Sequence, residues 1–295
     1  MRTRFIALFA LPLLGFAQPG LQKKIAAIAS EANGKVSVAC SLPGTSLDCD
    51  LNPHAHPPMQ SVFKAPLAVA TLHLVEQRKF QLDQPIAFRP ADRILPQVWS
   101  PLQKQYPNAN VDVPLRELLH LAVSQSDNVA ADIVLRTIGG TRVVEDYMTS
   151  VGITGFHLQD TEAAMHADHA LQYRDWFEPA AAVQFLRLLA DHSPVNPEHT
   201  ALMFDWMLNN PRGTGRISGQ LPQGTVVLHK AGTSDTENGL TNAWNDIGLI
   251  EMPNGKKLAI AVFITDSTGR DDTTRDSVIA RITKAAYDAA LTGKP

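Results

Sequence analysis

Charged and aromatic residues are both scarce in this sequence of 295 residues. Asp, Glu, Lys and Arg together make up 19% and Phe, Trp and Tyr 6%, whereas hydrophobic residues make up 44%. This composition, without low-complexity tracts, excludes a disordered, collagen-like or coiled-coil protein. No run of five like charges occurs and the formal net charge is −3. The chain therefore lacks the basic surface that binds phosphate backbones, and we expect no nucleic-acid partner.

Long apolar runs are missing beyond the first 17 residues. Residues 1–4 are basic and residues 5–16 are apolar, a pattern typical of a cleaved secretory signal. A buried N-terminal helix is the alternative, but Pro12 and Gly15 would interrupt it. We therefore expect a signal peptide at 1–17 and a secreted, periplasmic protein that does not interact with a membrane after signal removal.

Only two cysteines are present, Cys40 and Cys49, and turn residues separate them. In an oxidising compartment they could bridge the two strands of a hairpin. Two unpaired thiols remain the alternative, because spacing alone cannot establish the Cα separation that a disulfide requires.

Hydrophobic periodicity predicts strands near both ends of the chain and helices in the middle. The predicted strands are 35–40, 49–51, 225–229, 243–251 and 257–265, the last two joined by an Asn254-Gly255 turn. The predicted helices are 21–30, 62–77, 114–123, 128–138, 178–190 and 273–291.

This order predicts an α+β fold of the α/β sandwich type. A five-stranded antiparallel sheet is assembled from both termini and flanked by terminal helices, and an all-helical subdomain is inserted in the middle. We expect the α/β part to comprise residues 18–57 and 208–295 and the helical subdomain residues 58–207. The active-site cleft should lie between them.

Ser61 and Lys64 form an S-x-x-K pattern at the predicted start of a helix. The spacing places hydroxyl and amine on one helix face, and the positive end of the helix disfavours an ammonium there. Lys64 could then act as the base that a serine nucleophile needs. Taken alone, the pattern is more typical of a capping serine beside a solvated lysine.

Two further motifs follow in order, Ser126-Asp127-Asn128 before a helix and Lys230-Ala231-Gly232-Thr233-Ser234 at the end of a strand. The first could be an ordinary N-cap cluster and the second could hold a surface lysine. Three such elements in this order and at these separations are difficult to explain by chance.

With these motifs the chain resembles the class A serine β-lactamases over nearly its whole length. The third motif departs from the family, because Ala231 stands where a hydroxyl residue usually helps to hold the substrate carboxylate. Thr233 and Ser234 could supply hydroxyl groups instead. The run from Glu162 to Asp168, with Gln60 and Trp99-Ser100-Pro101, resembles the PER-type extended-spectrum subgroup.

The resemblance implies roles for particular residues. Ser61 would attack the β-lactam carbonyl, with Lys64 or Glu162 as base, and Ser126 would pass a proton to the ring nitrogen. Glu162, 36 residues after Ser126, would activate the deacylating water, with His166 beside it in place of the family's asparagine. Alone, Glu162 would be interpreted as a solvated charge.

The resemblance also implies a substrate-binding set. Asn128 and Lys230 would orient the substrate, and the backbone N–H groups of Ser61 and Thr233 would form an oxyanion hole. Arg216, 14 residues before Lys230, would assist carboxylate binding, although it could be a turn arginine in water. Trp99 could form a cleft wall or belong to the core.

Other chemistries fit the sequence less well. No G-x-S-x-G elbow and no G-x-x-x-x-G-K-[ST] phosphate loop occur. His54, His56, His166 and His169 do not have the spacing of a helical zinc pair. We therefore expect no cofactor, no metal and a monomer that acts on β-lactams and water. A D-alanyl-D-alanine peptidase or penicillin-binding protein and a catalytically silent binding protein remain alternatives, and Glu162 favours the β-lactamase.

Overall fold

The computed structural model describes residues 19–96 and 98–292, so the predicted signal peptide lies outside the described residues. The helices are α1 (Pro19–Ala29), α2 (Lys64–Glu76), α3 (Pro101–Gln105), α4 (Leu115–Ser124), α5 (Asn128–Ile138), α6 (Thr141–Ser150), α7 (Glu162–Ala167), α8 (Pro179–Asp191), α9 (Pro197–Leu208) and α10 (Asp272–Thr292). The strands are β1 (Lys35–Ser41), β2 (Pro85–Phe88), β3 (Val111–Pro114), β4 (Phe156–His157), β5 (Trp176–Phe177), β6 (Val227–Thr233), β7 (Thr236–Glu237), β8 (Leu240–Glu251) and β9 (Lys257–Thr268).

Five antiparallel strands form the main sheet in the order β1-β9-β8-β6, and the short β7 pairs with β8. The predicted number of strands and their antiparallel arrangement are confirmed, but one of the predicted strands, 49–51, is wrong. Residues 49–51 contribute only an isolated bridge between Leu51 and Val38. Asn52 adopts φ +49° and Pro53 follows it, so extended pairing cannot continue there.

The central strand β9 shows why the sheet is covered on both faces. Ala259, Ala261 and Phe263 pack in the core shared with the central helices, whereas Ile260 and Val262 pack in the core shared with α1 and α10. Alternate residues of a strand point to opposite faces, so the all-apolar run 258–264 within β9 requires helices on both sides. The terminal helices and the helical block supply them.

The helical block is built around α2, in which every residue from Lys64 to Leu72 is buried. A helix that is buried all round lies inside a layer of other helices, and α4, α5, α6 and α9 pack against it. Two small two-stranded sheets, β2 with β3 and β4 with β5, also lie in this part of the chain. The proposed boundaries at 57/58 and 207/208 stay predictions.

No helix among the described residues has both the length and the apolar character to cross a membrane.

Cys40 and Cys49 form a disulfide, with their Cα atoms 5.9 Å apart. Cys40 belongs to β1, but Cys49 lies in the irregular segment after it, so the bridge ties this segment to the sheet edge. The predicted pairing is confirmed, whereas its setting in a two-stranded hairpin is wrong.

Replacing both cysteines by alanine should lower the free energy of unfolding by about 2–3 kcal/mol, because the crosslink closes a short loop in the unfolded chain. Urea unfolding of the oxidised wild-type protein and the double variant measures this difference. An equal midpoint and slope for the two proteins would show that the bridge does not restrict the unfolded chain.

Candidate active site

A cleft of about 290 Å³ lies where the N-terminus of α2 and the α4–α5 turn face β6. Its wall is predominantly polar, and its lining residues are Gln60, Ser61, Val98, Trp99, Ser126, Asn128, Glu162, Met165, His166, His169, Gln172, Arg212, Ala231, Thr233, Ser234, Asp235, Glu237 and Asn242. Residues from all three predicted motifs therefore meet at one cleft.

Ser61 lies in a 3-10 turn (Gln60–Phe63) that leads directly into α2, whose first residue is Lys64. The spacing of three residues brings the Lys64 Nζ atom 2.9 Å from Ser61 Oγ. Ser61 Oγ also lies 3.4 Å from Glu162 Oε1, to which it donates. The preceding residue Gln60 adopts φ +49°, a conformation that is uncommon outside glycine and is often found at functional sites.

The Lys64 amine is fully buried and has only oxygen neighbours. It donates to Asn128 Oδ1 at 2.6 Å and to the Ser126 carbonyl at 3.0 Å, and it lies 2.9 Å from Glu162 Oε1. With Ser61 Oγ this makes four acceptors for one amine. One of these acceptors is a carboxylate, so the buried amine is held by strong hydrogen bonds.

Ser126 joins the two buried lysines of the site. Its carbonyl accepts from Lys64, and its hydroxyl accepts from Lys230 Nζ at 2.9 Å. Its backbone adopts φ +56°, again the left-handed region. Burial, followed by the nearby Lys64 charge, lowers the pKa of Lys230 well below its usual range. Lys230 is thus poised to exchange protons with Ser126.

Asp127 holds the turn between α4 and α5 in place. Its buried carboxyl accepts from Ser100 Oγ at 2.7 Å, from the Leu102 N–H at 2.6 Å and from the Ala130 N–H at 2.9 Å. It is thus the N-cap of α5 and also the anchor of the Trp99 segment. Burial raises the pKa of this carboxyl.

Strand β6 forms the opposite wall and approaches the nucleophile turn closely at Gly232. A Cβ atom at Gly232 would lie 2.4 Å from the Met59 carbonyl oxygen, so only glycine fits. The Asn245 amide on β8 donates to the Pro58 carbonyl at 2.8 Å and fixes the same approach. Thr233, the next residue on β6, consequently faces the cleft beside Ser61.

Glu162 begins α7, and Asp132 positions that helix start. The Asp132 carboxyl accepts from the Glu162 N–H at 2.9 Å and from the Ala163 N–H at 2.8 Å. Asp132 lies one helical turn after Asn128 on α5, so the amide that contacts Lys64 and the carboxyl that holds Glu162 share one helix face. Burial, followed by the Glu162 carboxylate, raises the pKa of Asp132 to about 7.

The structure brings the predicted catalytic and orienting groups together and places the other candidates at the edges. His166 lines the cleft and its Nε2 lies 3.1 Å from the Pro96 carbonyl oxygen. Ser234 also lines the cleft, but its Oγ is engaged by the Ala243 N–H at 2.9 Å. Trp99 is 48% exposed and its Nε1 donates to the Gln125 carbonyl, so it is a cleft wall and not a core residue.

Arg216 is not at the cleft surface. It is 4% exposed and donates to Asp276, to the Gly232 and Asn245 carbonyls, and to Thr233 Oγ1 at 2.8 Å. The alternative interpretation of Arg216 as a solvated turn arginine is therefore wrong. Arg216 is linked to the cleft by its hydrogen bond to Thr233, which lines the cleft. Burial lowers the pKa of Arg216.

Three groups of the site were missed by the sequence-based prediction. Asp132 could have been found from its position one turn after Asn128 on the same helix face. His169 and Glu237 form an ion pair at one end of the cleft, and Arg212 lies over the Trp99 ring. These contacts join segments distant in sequence, and no local pattern marks them.

Within the described ranges, no cluster of three His, Cys, Asp or Glu side chains is arranged to hold a metal ion. His54 and His56 both contact the Glu178 carboxylate, and His56 stacks on Trp176.

A family model described as the β-lactamase enzyme family matches residues 20–290. The extended-spectrum β-lactamase PER-1 of Pseudomonas aeruginosa is 37% identical over 273 residues, which cover 92% of this chain and 88% of that protein. The β-lactamase VEB-1 of the same organism is 32% identical over 273 residues, covering 92% and 90% of the two chains. The crystal structure of a β-lactamase from Chitinophaga pinensis superposes with a TM-score of 0.85 at 39% identity, covering 92% of this chain and 99% of that one.

Asp132→Asn should change how stability depends on pH. In the folded protein Asp132 keeps a proton up to about pH 7, whereas in the unfolded chain it ionises near pH 4. The stability that this proton contributes is complete below about pH 4 and is lost as the pH rises toward 7. The amide in the variant does not titrate in this range. The unfolding free energy of the variant, measured relative to that of the wild type, should therefore rise by about 2–3 kcal/mol between pH 5 and pH 8.

Urea unfolding at the two pH values measures the effect, and Asp146→Asn, an exposed carboxylate on α6, is the matched control. A pH-independent difference between Asp132→Asn and the wild type would contradict the raised pKa.

Proposed function

Because the chain belongs to the class A serine β-lactamases, we propose that it hydrolyses the β-lactam amide of penicillins and cephalosporins through an acyl-enzyme on Ser61. The contact of Lys64 Nζ with both Ser61 Oγ and Glu162 Oε1, at 2.9 Å each, is the observation that carries this assignment. It joins a serine hydroxyl, a lysine amine and a carboxylate in one hydrogen-bond network, which supports the assignment.

For acylation, Glu162 is the better base in this arrangement. Lys64 donates to Ser61 Oγ, and Ser61 in turn donates toward Glu162, so the serine proton already points at a carboxylate. Ser61 Oγ forms a bond to the carbonyl carbon while its proton passes to Glu162, directly or through a water. Lys64 donates to Ser61 Oγ and so stabilises the developing alkoxide, a role different from that of the base expected from the helix end alone.

Ring opening requires a proton on the departing nitrogen. Ser126 Oγ supplies it as the C–N bond breaks, and Lys230, whose Nζ lies 2.9 Å from that hydroxyl, can return a proton to Ser126. The depressed pKa of Lys230 makes this transfer easier than it would be from a solvated lysine.

Deacylation uses Glu162 again. The carboxylate removes a proton from a water that attacks the ester carbonyl, and the Ser61–acyl bond breaks with return of a proton to Ser61 Oγ. Asp132 holds the backbone of Glu162, so the carboxylate is positioned by two elements, α5 and α7. His166 at the cleft wall is placed to help orient this water.

The remaining residues bind the substrate. The backbone N–H groups of Ser61 and Thr233 form the oxyanion hole, where one donor typically contributes about 3–4 kcal/mol to lowering the barrier. Asn128 orients the amide side chain, Lys230 attracts the carboxylate, and Trp99 and Ser234 line the cleft. Arg216 acts as a positioning residue that holds the Thr233 hydroxyl.

We further infer a monomer exported to the periplasm. The basic and apolar pattern of residues 1–17 supports export, and the Cys40–Cys49 disulfide suits an oxidising compartment. Steady nitrocefin hydrolysis by the purified protein lacking residues 1–17 tests the function, and a burst without turnover would instead indicate a penicillin-binding protein.

Ser61→Ala should remain folded and lose covalent labelling by benzylpenicillin, because no other hydroxyl in the cleft contacts both Lys64 and Glu162 among the described residues. Intact-mass spectrometry checks the adduct, and thermal unfolding checks the fold. A penicillin adduct that persists on the folded variant removes Ser61 from the nucleophile role.

Glu162→Ala should acylate more slowly than the wild type, with Lys64 as the second possible base, and then stall as the acyl-enzyme. Without the carboxylate the deacylating water has no base, so steady turnover should fall by about 100-fold or more. The readouts are intact mass minutes after mixing with benzylpenicillin and steady-state rates.

The matched control for Glu162→Ala is Glu117→Ala, an exposed carboxylate on α4. Turnover at the wild-type rate in Glu162→Ala would place the deacylating base elsewhere, with His166 as the first residue to test.

A further inference from the structure

Two arginines lie near β6, and within the described residues only one of the two guanidinium groups donates hydrogen bonds to the protein. The Arg216 guanidinium is buried and has four oxygen acceptors. The Arg212 side chain is exposed at the cleft, and among residues 19–96 and 98–292 no oxygen accepts a hydrogen bond from its guanidinium. Its five N–H donors are consequently available to a ligand in the cleft.

The loop after α9 holds Arg212 in a defined place. The Arg212 N–H donates to Asn210 Oδ1 at 2.9 Å, and the buried Asn210 amide contacts the His229 carbonyl on β6 at 3.3 Å. Gly213 lies against β6 so closely that a Cβ atom there would be 2.8 Å from Ala231 Cβ. The small side chain at 231 therefore lets this loop approach the strand.

The guanidinium is also oriented from the other side of the cleft. Arg212 Cζ lies 4.2 Å from the centroid of the Trp99 ring, a cation–π contact between the two walls. Trp99 is itself fixed by the bond from its Nε1 to the Gln125 carbonyl at 2.8 Å. A stacked guanidinium keeps its N–H edge free for in-plane acceptors such as a carboxylate.

The cleft lacks one hydroxyl donor for a carboxylate, because residue 231 is alanine. From these contacts we propose that Arg212 binds the carboxylate of the β-lactam substrate at the cleft edge beside Ala231, and so determines specificity for anionic substrates. This proposal rests on the proposed function. It assigns to Arg212 the direct contact that sequence comparison suggested for Arg216.

The electrostatics of the site agree with this placement. Burial and Lys64 are the main causes of the lowered pKa of Lys230, and the Arg212 charge acts in the same direction. The positive charge of Arg212 therefore acts at Lys230. An anionic group on the substrate would be attracted to both.

The test compares kcat/KM for benzylpenicillin and for its neutral methyl ester in the wild type and in Arg212→Gln. We expect kcat/KM for the acid to fall about 10- to 100-fold, the strength of a hydrogen bond to a charged group, with the ester changed less than about threefold. Arg212→Lys, which keeps the charge but not the planar fork, should show an intermediate loss.

The matched control is Arg142→Gln, which removes an equal charge from the exposed face of α6. Equal losses for acid and ester in Arg212→Gln, or no loss for either, would overturn the role of Arg212 while wild-type turnover still supports the proposed function. A loss for the acid that Arg142→Gln reproduces would show that overall charge, and not a contact at 212, is responsible. Wild-type protein without turnover of either substrate would instead refute the proposed function.

Discussion

The burial of two lysine amines on either side of one serine is the constraint on which the rest of the site depends. Lys64 and Lys230 are both fully buried, and Ser126 contacts one through its carbonyl and the other through its hydroxyl. Buried ammonium groups are costly unless every proton has a partner. The acceptors come from the 3-10 turn before α2, from α5, α7 and β6, and from the turn between α4 and α5, so these elements must meet at this point.

Acidic residues behind the cleft complete this arrangement. Asp127 fixes the turn that carries Ser126, and Asp132 fixes the start of α7 that carries Glu162. Both carboxyls accept backbone N–H groups, which leaves the Glu162 side chain free to contact Lys64 and Ser61. Under the proposed function, the Glu162 carboxylate at this distance from Ser61 Oγ favours a β-lactamase over a peptidase that keeps its acyl-enzyme. The silent binding protein also has little support, because no member of this network is missing.

Much of this site could be predicted from the sequence, because its main groups lie in short motifs attached to strong local patterns. Ser61 and Lys64 are three residues apart at a helix start, and α5 begins at Asn128 and ends at Ile138, as its capping residues Asp127 and Gly139 predict. The predictions that were wrong or incomplete depend on contacts between residues distant in sequence. Residues 49–51 have the composition of a strand, but their neighbours prevent pairing. Arg212 and Arg216 lie in the same glycine-containing loop before β6, and only their tertiary contacts distinguish the one that lines the cleft from the one that is buried.

The contact of Gly232 with the Met59 carbonyl limits which parts of this enzyme can change by substitution. The closest approach of β6 to the nucleophile turn is backbone against backbone at Gly232, and the buried Asn245 amide holds the two together. Apart from Gly232 and Asn245, few side chains set this spacing, so most point substitutions should leave the relative positions of Ser61 and Thr233 unchanged. The cleft edge, formed by side chains on connecting segments such as Trp99, Arg212 and the His169–Glu237 pair, has no such restriction. Evolutionary change of antibiotic range should therefore accumulate at this edge, while the reaction centre stays the same.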